Sequence, residues 1–153
     1  MAFVQTTYSE NQAIAFPGMP ADHDHSIDTR ICETAAGIGF GVAVSQGTSD
    51  KGAIIGGASA AVFVGVTVKD ITVTDDEYAQ YDNMGVMYRG TIWVTVGGDV
   101  TAGGDVTFAS ATGVLSSAAA GGTQFTIAGA RWMTDASSGG LAKLRLSGSL
   151  PSA

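Results

Sequence analysis

Apolar and polar residues alternate most regularly between Gly90 and Phe108, in the run GTIWVTVGGDVTAGGDVTF. In an extended chain Ile92, Val94 and Val96 fall on one face and Thr91, Trp93 and Thr95 on the other, which is the two-residue period of a β-strand. β-Branched and aromatic side chains at nearly every position predict a strand packed on both sides or across a subunit contact. Gly97-Gly98-Asp99 breaks the run, and the phrase returns as Gly103-Gly104-Asp105 before Val106, Thr107 and Phe108. Glycine reaches the positive φ that tight connections need, and Asp bonds its own backbone in turns, so both phrases predict corners. Further on, FTIAGARWM (125–133) and LAKLRL (141–146) predict two last strands. In the second, Leu144 and Leu146 face away from Lys143 and Arg145, as in a half-buried strand.

Upstream the pattern is less regular. Ile31 to Val44 reads as one strand with glycines at 37, 39 and 41, side-chain-free positions where a backbone or ring can approach. Its GIGFG phrase lacks the following helix and acidic residue of a dinucleotide loop. Ala61 to Val73 predicts a strand with a bulge at Gly65. Thr74 to Asn83 is the one helical candidate, because Thr74 and Glu77 have capping-box spacing and Asp75 and Asp76 suit a helix N-terminus. Residues 1 to 30 scatter Phe3, Val4, Tyr8, Ile14, Phe16 and Met19 among polar residues without a period, and Pro17, Gly18 and Pro20 oppose regular structure. Such a segment wraps its own core or lies on a neighbour, and we read it as an extended arm. The expectation is an all-β chain: an arm over 1–30, a β-domain over 31–153, and at most one short helix.

Composition narrows the function. The 153 residues fit one domain, and 7 basic against 14 acidic side chains give a net charge of -7, a surface that repels nucleic acid. Only 14% of residues are charged while 45% are hydrophobic, a balance that favours covering apolar surface by oligomerising or docking. Cys32 is the single cysteine, so no intrachain disulfide forms and a reducing compartment at synthesis is expected. The start MAFVQTTYSENQ has neither the basic end nor the apolar run of a secretory signal. The most apolar window, 53–68, is shorter than the roughly 20 residues of a membrane span, and no membrane partner is expected. No GxSxG elbow is present, and the only histidines, His23 and His25, share one loop with Asp22 and Asp24 that reads as solvated. Asp70, Asp75, Asp76, Glu77 and Asp82 lack EF-hand spacing, and Cys32 reads as a buried, inert thiol. The expectation is no enzyme, no catalytic residue, no metal and no cofactor. Trp93 and Trp132 fill a core or an interface.

Four phrases carry a family resemblance: ETAAGIGFGVAVSQG (33–47), VFVGVTV (62–68), YRGTIWVTVGGDVTAGGDVTF (88–108) and GARWMTDASSGGLAKLRL (129–146). In their order and spacing the chain resembles the structural cement, or decoration, proteins of tailed bacteriophages. The resemblance implies a small barrel or β-tulip that forms a homotrimer. It implies binding to the outside of the virion capsid, where the trimer bridges neighbouring major capsid proteins after synthesis in the bacterial cytoplasm. On that reading Phe3, Val4, Tyr8, Phe16 and Met19 are arm residues against the capsid, and Tyr88, Trp93 and Trp132 subunit contacts. Two other classes compete. A carbohydrate- or host-binding β-module of a virion has the same Gly-rich, all-β character. The G-D-x-V corners are similar to those of biotinyl and lipoyl carrier domains, but Lys51, Lys69 and Lys143 lack a carrier lysine's setting.

Overall fold

The computed structural model describes residues 13–57 and 62–147. Eleven strands follow one another: β1 Ser26–Cys32, β2 Ile38–Gly39, β3 Ala43–Gln46, β4 Gly52–Ile55, β5 Phe63–Thr67, β6 Glu77–Tyr78, β7 Asn83–Thr95, β8 Asp105–Ala109, β9 Leu115–Ser116, β10 Gln124–Trp132 and β11 Leu141–Ser147. There is no helix among the described residues, and the chain is all-β.

The 13-residue β7 is the spine. Its first half pairs with β1 and β5, and β1–β4–β3–β5 joins those neighbours into a small closed barrel. The second half pairs with β11 from Thr95↔Leu141 to Arg89↔Ser147 and leads to β10, β8 and β9. Val96, just past β7, bridges to Leu115 of β9, so this second sheet also turns back on itself. Alternation along shared strands sends neighbouring residues to different cores. Val44, Val64, Met84 and Val86 point into the barrel with Cys32, Ile38, Ala53 and Tyr78. Ala43, Phe63, Val66 and Met87 join a larger core with Ile92, Val94, Phe108, Leu115, Trp132 and Leu144. Of the two faces that the alternation sets apart, the one formed by Ile92, Val94 and Val96 is buried.

Several expectations change. Ile31 to Val44 is three short strands, because Gly37 (φ 86) and Gly41 (φ 69) turn the chain through a region that β-carbons disfavour. The helix expected over 74–83 does not form. A two-turn helix has little stability alone, and the segment instead makes β6, which pairs with β2 and buries Tyr78 with its hydroxyl donating to the Val68 carbonyl. The nearby carboxylates close turns: Asp70 accepts from the Thr72 amide and hydroxyl, and Asp82 from the Ala79 amide. Strand β7 begins seven residues before Gly90. The first GGD corner is tied by Asp99 to the Ser138 amide at 2.9 Å, a distant loop and not its own backbone. Gly65 does sit at a bulge, where the β3–β5 register shifts between Val44 and Ser45. A side-chain carbon there would lie 2.3 Å from the Met87 carbonyl oxygen. Strand β1 starts at Ser26 and pairs along β7, so the regular sheet begins inside the segment expected to be an arm.

Candidate functional site

Two surfaces gather the residues singled out from the sequence. The first is the N-terminal approach. Pro17-Gly18 turns the chain onto β7, where Gly18 donates to the Trp93 carbonyl (2.8 Å), Trp93 to the Met19 carbonyl (2.9 Å) and Ala21 to the Thr91 carbonyl (2.8 Å). Gly18 is required there, since it has φ 82 and a β-carbon would stand 2.7 Å from the Lys69 nitrogen. Residues 18–21 therefore lie on their own sheet. Met19 is partly buried by this docking, whereas Phe16 stays 39% and Ile14 87% exposed. The Lys69 ammonium lies 5.2 Å from the Phe16 ring centre and 5.3 Å from that of Phe40, a cation–π clamp. Phe40 meets Tyr78 edge to face at 5.1 Å, which anchors the clamp in the barrel. A shallow depression lined by Pro17, Gly39, Phe40, Lys69 and Asp76 lies beside it. Phe3, Val4 and Tyr8 fall outside the described residues.

The second surface is the outer face of β7, β11 and β10. The register sets Thr91, Arg145, Arg131 and Asp105 in one row across four strands. In the next row Trp93 stands opposite Lys143, whose ammonium sits 5.2 Å from the indole centre. Arg131 pairs with Asp105 at 2.6 Å, and Arg89 with Asp24 at 3.5 Å. Arg145 makes no ion pair among the described residues. It lines a polar hollow of about 280 Å³ with Asp22, Asp24, Arg89 and Thr91. Tyr88 and Met133 are 42% and 45% exposed. Trp132 is different: period two turns it inward, and it is wholly buried in the larger core. It packs within its own chain and is not exposed for contact with another, and its indole nitrogen has no hydrogen-bond partner in the structure.

Among the described residues the reactive groups do not converge. Cys32 is wholly buried, with its thiol directed at the Thr34 and Tyr78 carbonyls. Burial pushes its pKa up, Asp82 and Glu77 add to the rise, and the Thr34 contact opposes it. His25 bonds the Asp22 carbonyl through Nδ1 at 2.8 Å. Among the described residues no group of three or more His, Cys, Asp or Glu side chains is placed to hold a metal. No helix among the described residues is long and apolar enough to cross a membrane.

Two features escaped sequence reasoning. The Glu33 carboxylate accepts from the Thr48 amide and from the Ser49 amide and hydroxyl, clipping the β3–β4 turn. These bonds, the Ser49 hydroxyl first, hold its pKa at about 2. Gly47 and Gly52 leave the room this carboxylate occupies, so the glycines flanking a polar turn were the readable signal. Tyr81 has φ 72, the only positive φ of a non-glycine residue described, and is 75% exposed. Its amide donates to the Cys32 carbonyl at 2.7 Å, and the Cys32 amide to the Asp82 carbonyl at 3.0 Å, which fixes the turn. Nothing in the sequence marks that conformation.

A closed barrel fused to a second sheet, with two accessible surfaces, suits a part that fits against other proteins. A family model, "Structural cement protein (E217 gp24/Pam3 gp6)", matches residues 4–147. The chain belongs to the phage structural cement proteins. Among solved structures it is similar to a chain from "The capsid of Myoviridae Phage XM1", at 16% identity and TM-score 0.72, covering 96% of this chain and 98% of that one. It is also matched by "The crystal structure of head fiber gp8.5 N base in bacteriophage phi29" at 15% identity and TM-score 0.45, over 84% of this chain and 99% of that one. A comparison with curated protein sequences finds no match. The cement protein thus has a structural role in a phage capsid, with which it associates in the virion.

Proposed function

We propose that this cement protein binds the exterior of the capsid as a homotrimer and stabilises the shell by bridging neighbouring major capsid proteins. The family match over residues 4–147 carries this reading. The structure adds support of a physical kind. Sheet closure leaves few edges for uncontrolled pairing, while Ile14 and Phe16 hold apolar surface in water just where the chain enters the body. Exposed apolar groups beside a rigid cation–π clamp are what a protein partner would cover. The segment before residue 13 is the attachment arm, with Phe3, Val4 and Tyr8 as its apolar contacts, and Phe16 and Met19 as the hinge region on the sheet. Tyr88 and Trp93 belong to the subunit contact.

Capsids stripped of this protein, re-incubated with it and viewed by electron microscopy, test the proposal. Density on the outer surface at local threefold positions and a higher shell melting temperature are expected. Density inside the shell, or none, overturns it. Deleting residues 2–12 separates arm from body, since the cut stays clear of the Gly18, Met19 and Ala21 bonds to β7. Binding falls at least about tenfold with the melting temperature unchanged. Equal loss of both assigns those residues to the fold.

A further inference from the structure

We infer that Lys69 is a positioning residue for the attachment arm: by binding the Phe16 and Phe40 rings together it fixes the point from which residues 1–12 leave the body. The inference rests on the arm proposed above and names what aims it. Lys69 follows β5 and holds the base of the arm twice. Its amide donates to the Gly18 carbonyl at 2.9 Å. Its ammonium lies 5.2 Å from the Phe16 ring centre and 5.3 Å from that of Phe40. The backbone bond pins the turn, and the side chain reaches past it to the residue two places earlier.

The two holds are separable. Gly18 is the first described residue to bond a strand, through the Trp93 carbonyl, and ahead of it residues 13–17 make no backbone bond to a strand among the described residues. Ala15 is buried but small, whereas Ile14 is 87% and Phe16 39% exposed. The Phe16 ring is therefore the large side chain gripped nearest the arm, and Lys69 grips it. The seat behind the clamp is rigid. Phe40 meets Tyr78 edge to face at 5.1 Å, and Tyr78 belongs to the barrel core. The Pro17-Gly18 turn rests so closely on Gly41 that a β-carbon there would stand 3.0 Å from the Gly18 nitrogen and 3.4 Å from the Pro17 side chain.

The lysine is committed to the rings and not to a carboxylate. It makes no ion pair among the described residues, although Asp70 follows it and Asp76 lines the same depression. An ammonium over an aromatic face is held by the ring quadrupole, and here one ammonium serves two rings. A segment already held in its bound direction loses less freedom on binding, so a fixed arm base raises affinity without itself touching the capsid.

Substitution at Lys69 with and without the arm tests this. Lys69→Gln removes the charge, Lys69→Arg keeps a cation for the rings, and both leave the backbone bond to Gly18. Each is measured in the full chain and in the chain lacking residues 2–12, by binding to capsids stripped of this protein, with amide hydrogen exchange of the free protein alongside. In the full chain Lys69→Gln weakens capsid binding at least about threefold, and Lys69→Arg binds like wild type. The Met19 amide, which donates to the Phe16 carbonyl at 3.2 Å, exchanges faster in Lys69→Gln, while the Ala21 amide, bonded to the Thr91 carbonyl, and the melting temperature stay as in wild type. In the shortened chain Lys69→Gln has no further effect, because the residue acts through the arm.

A long-range effect of the lost charge, or a direct contact of Lys69 with the capsid, persists in the shortened chain and overturns the inference. So does a full-length Lys69→Gln chain that binds like wild type while the deletion still weakens binding, or Lys69→Arg binding no better than Lys69→Gln. A lowered melting temperature in Lys69→Gln overturns it too, by assigning the residue to the fold. Deletion without effect, or a wild-type chain that leaves the capsid bare, overturns the arm and the inference together.

Discussion

The two halves of β7 belong to different kinds of structure. In the barrel around its first half, β3, β4 and β5 have only four or five residues each, and side chains hold the turns: Glu33 on Thr48 and Ser49, Thr34 on the Ile55 amide, Thr67 on the Gly39 carbonyl, Asp82 on the Ala79 amide. In the sheet around its second half, β11 runs beside β7 and β10 beside β11, and the main device is an apolar face laid over a core. The barrel adds side-chain clips at its turns to a small buried core, whereas the other half has the larger core and fewer such clips. Because β7 runs through both, the halves are expected to unfold together, in one transition.

The largest test of that contrast removes mass from the second half. Trp132→Ala empties the centre of the larger core and is expected to cost about 3–5 kcal/mol, the usual loss for a buried aromatic. Thermal denaturation followed by tryptophan fluorescence and circular dichroism checks it. If only the tryptophan signal shifts, the halves are separate folding units.

Gly65→Ala strikes the seam. Its new carbon would lie 2.3 Å from the Met87 carbonyl oxygen and 2.8 Å from the Val86 side chain, both on the spine. Separating β5 from β7 opens the barrel and the larger core at once, so about 1–3 kcal/mol of overpacking strain is expected. A melting temperature equal to wild type would show that β5 and β7 are not held this closely.

The same contrast explains what could be read in advance. Strand β11 and the second half of β7 have water on one face and core on the other, so their alternation is written in Lys143, Leu144, Arg145 and Leu146. Strands β3 and β5 of the barrel are buried on both faces. Ala43, Val44 and Ser45 are all buried, as are all five residues of β5, and no polar face marks the period. There the glycines were legible and the path they direct was not. The helical signal at Thr74 and Glu77 was real locally, but Tyr78 gains more by filling the barrel, a tertiary override of a weak preference. The sequence put Trp93 on the face opposite Ile92 and Val94, and the structure leaves it partly exposed there. Trp132 lies just past the span, Thr126 to Arg131, over which the β10 register with β8 shifts, so the alternation at the start of β10 does not predict the phase in which it points inward.

A smaller effect separates the halves by pH. The Glu33 pKa falls from an ordinary 4.5 to about 2 in the folded chain. The stability it contributes is therefore complete above about pH 4.5 and is lost as pH falls through about 2. Glu33→Gln should lower the melting temperature at neutral pH and match wild type near pH 2. Trp132→Ala, which involves no titrating group, should keep its deficit throughout. A Glu33→Gln deficit that persists undiminished at the lowest pH would mean the clip acts by packing and not by charge.

The smallest expected effect is on the outer face. Arg131 and Asp105 pair at 2.6 Å, yet their side chains are 52% and 71% exposed, so solvent screens them. Arg131→Ala is expected to change stability by about 0–1 kcal/mol, and by less in high salt. Its value lies in the contrast with Trp132, the next residue on the same strand, where period two turns one side chain to water and its neighbour to the core. If Arg131→Ala leaves the melting temperature in place but weakens self-association at low salt, the outer face of β10 serves contact between molecules while its inner face serves the fold. A destabilisation approaching that of Trp132→Ala would instead make the Arg131–Asp105 pair part of what closes β8 onto β10, where the register between those strands shifts.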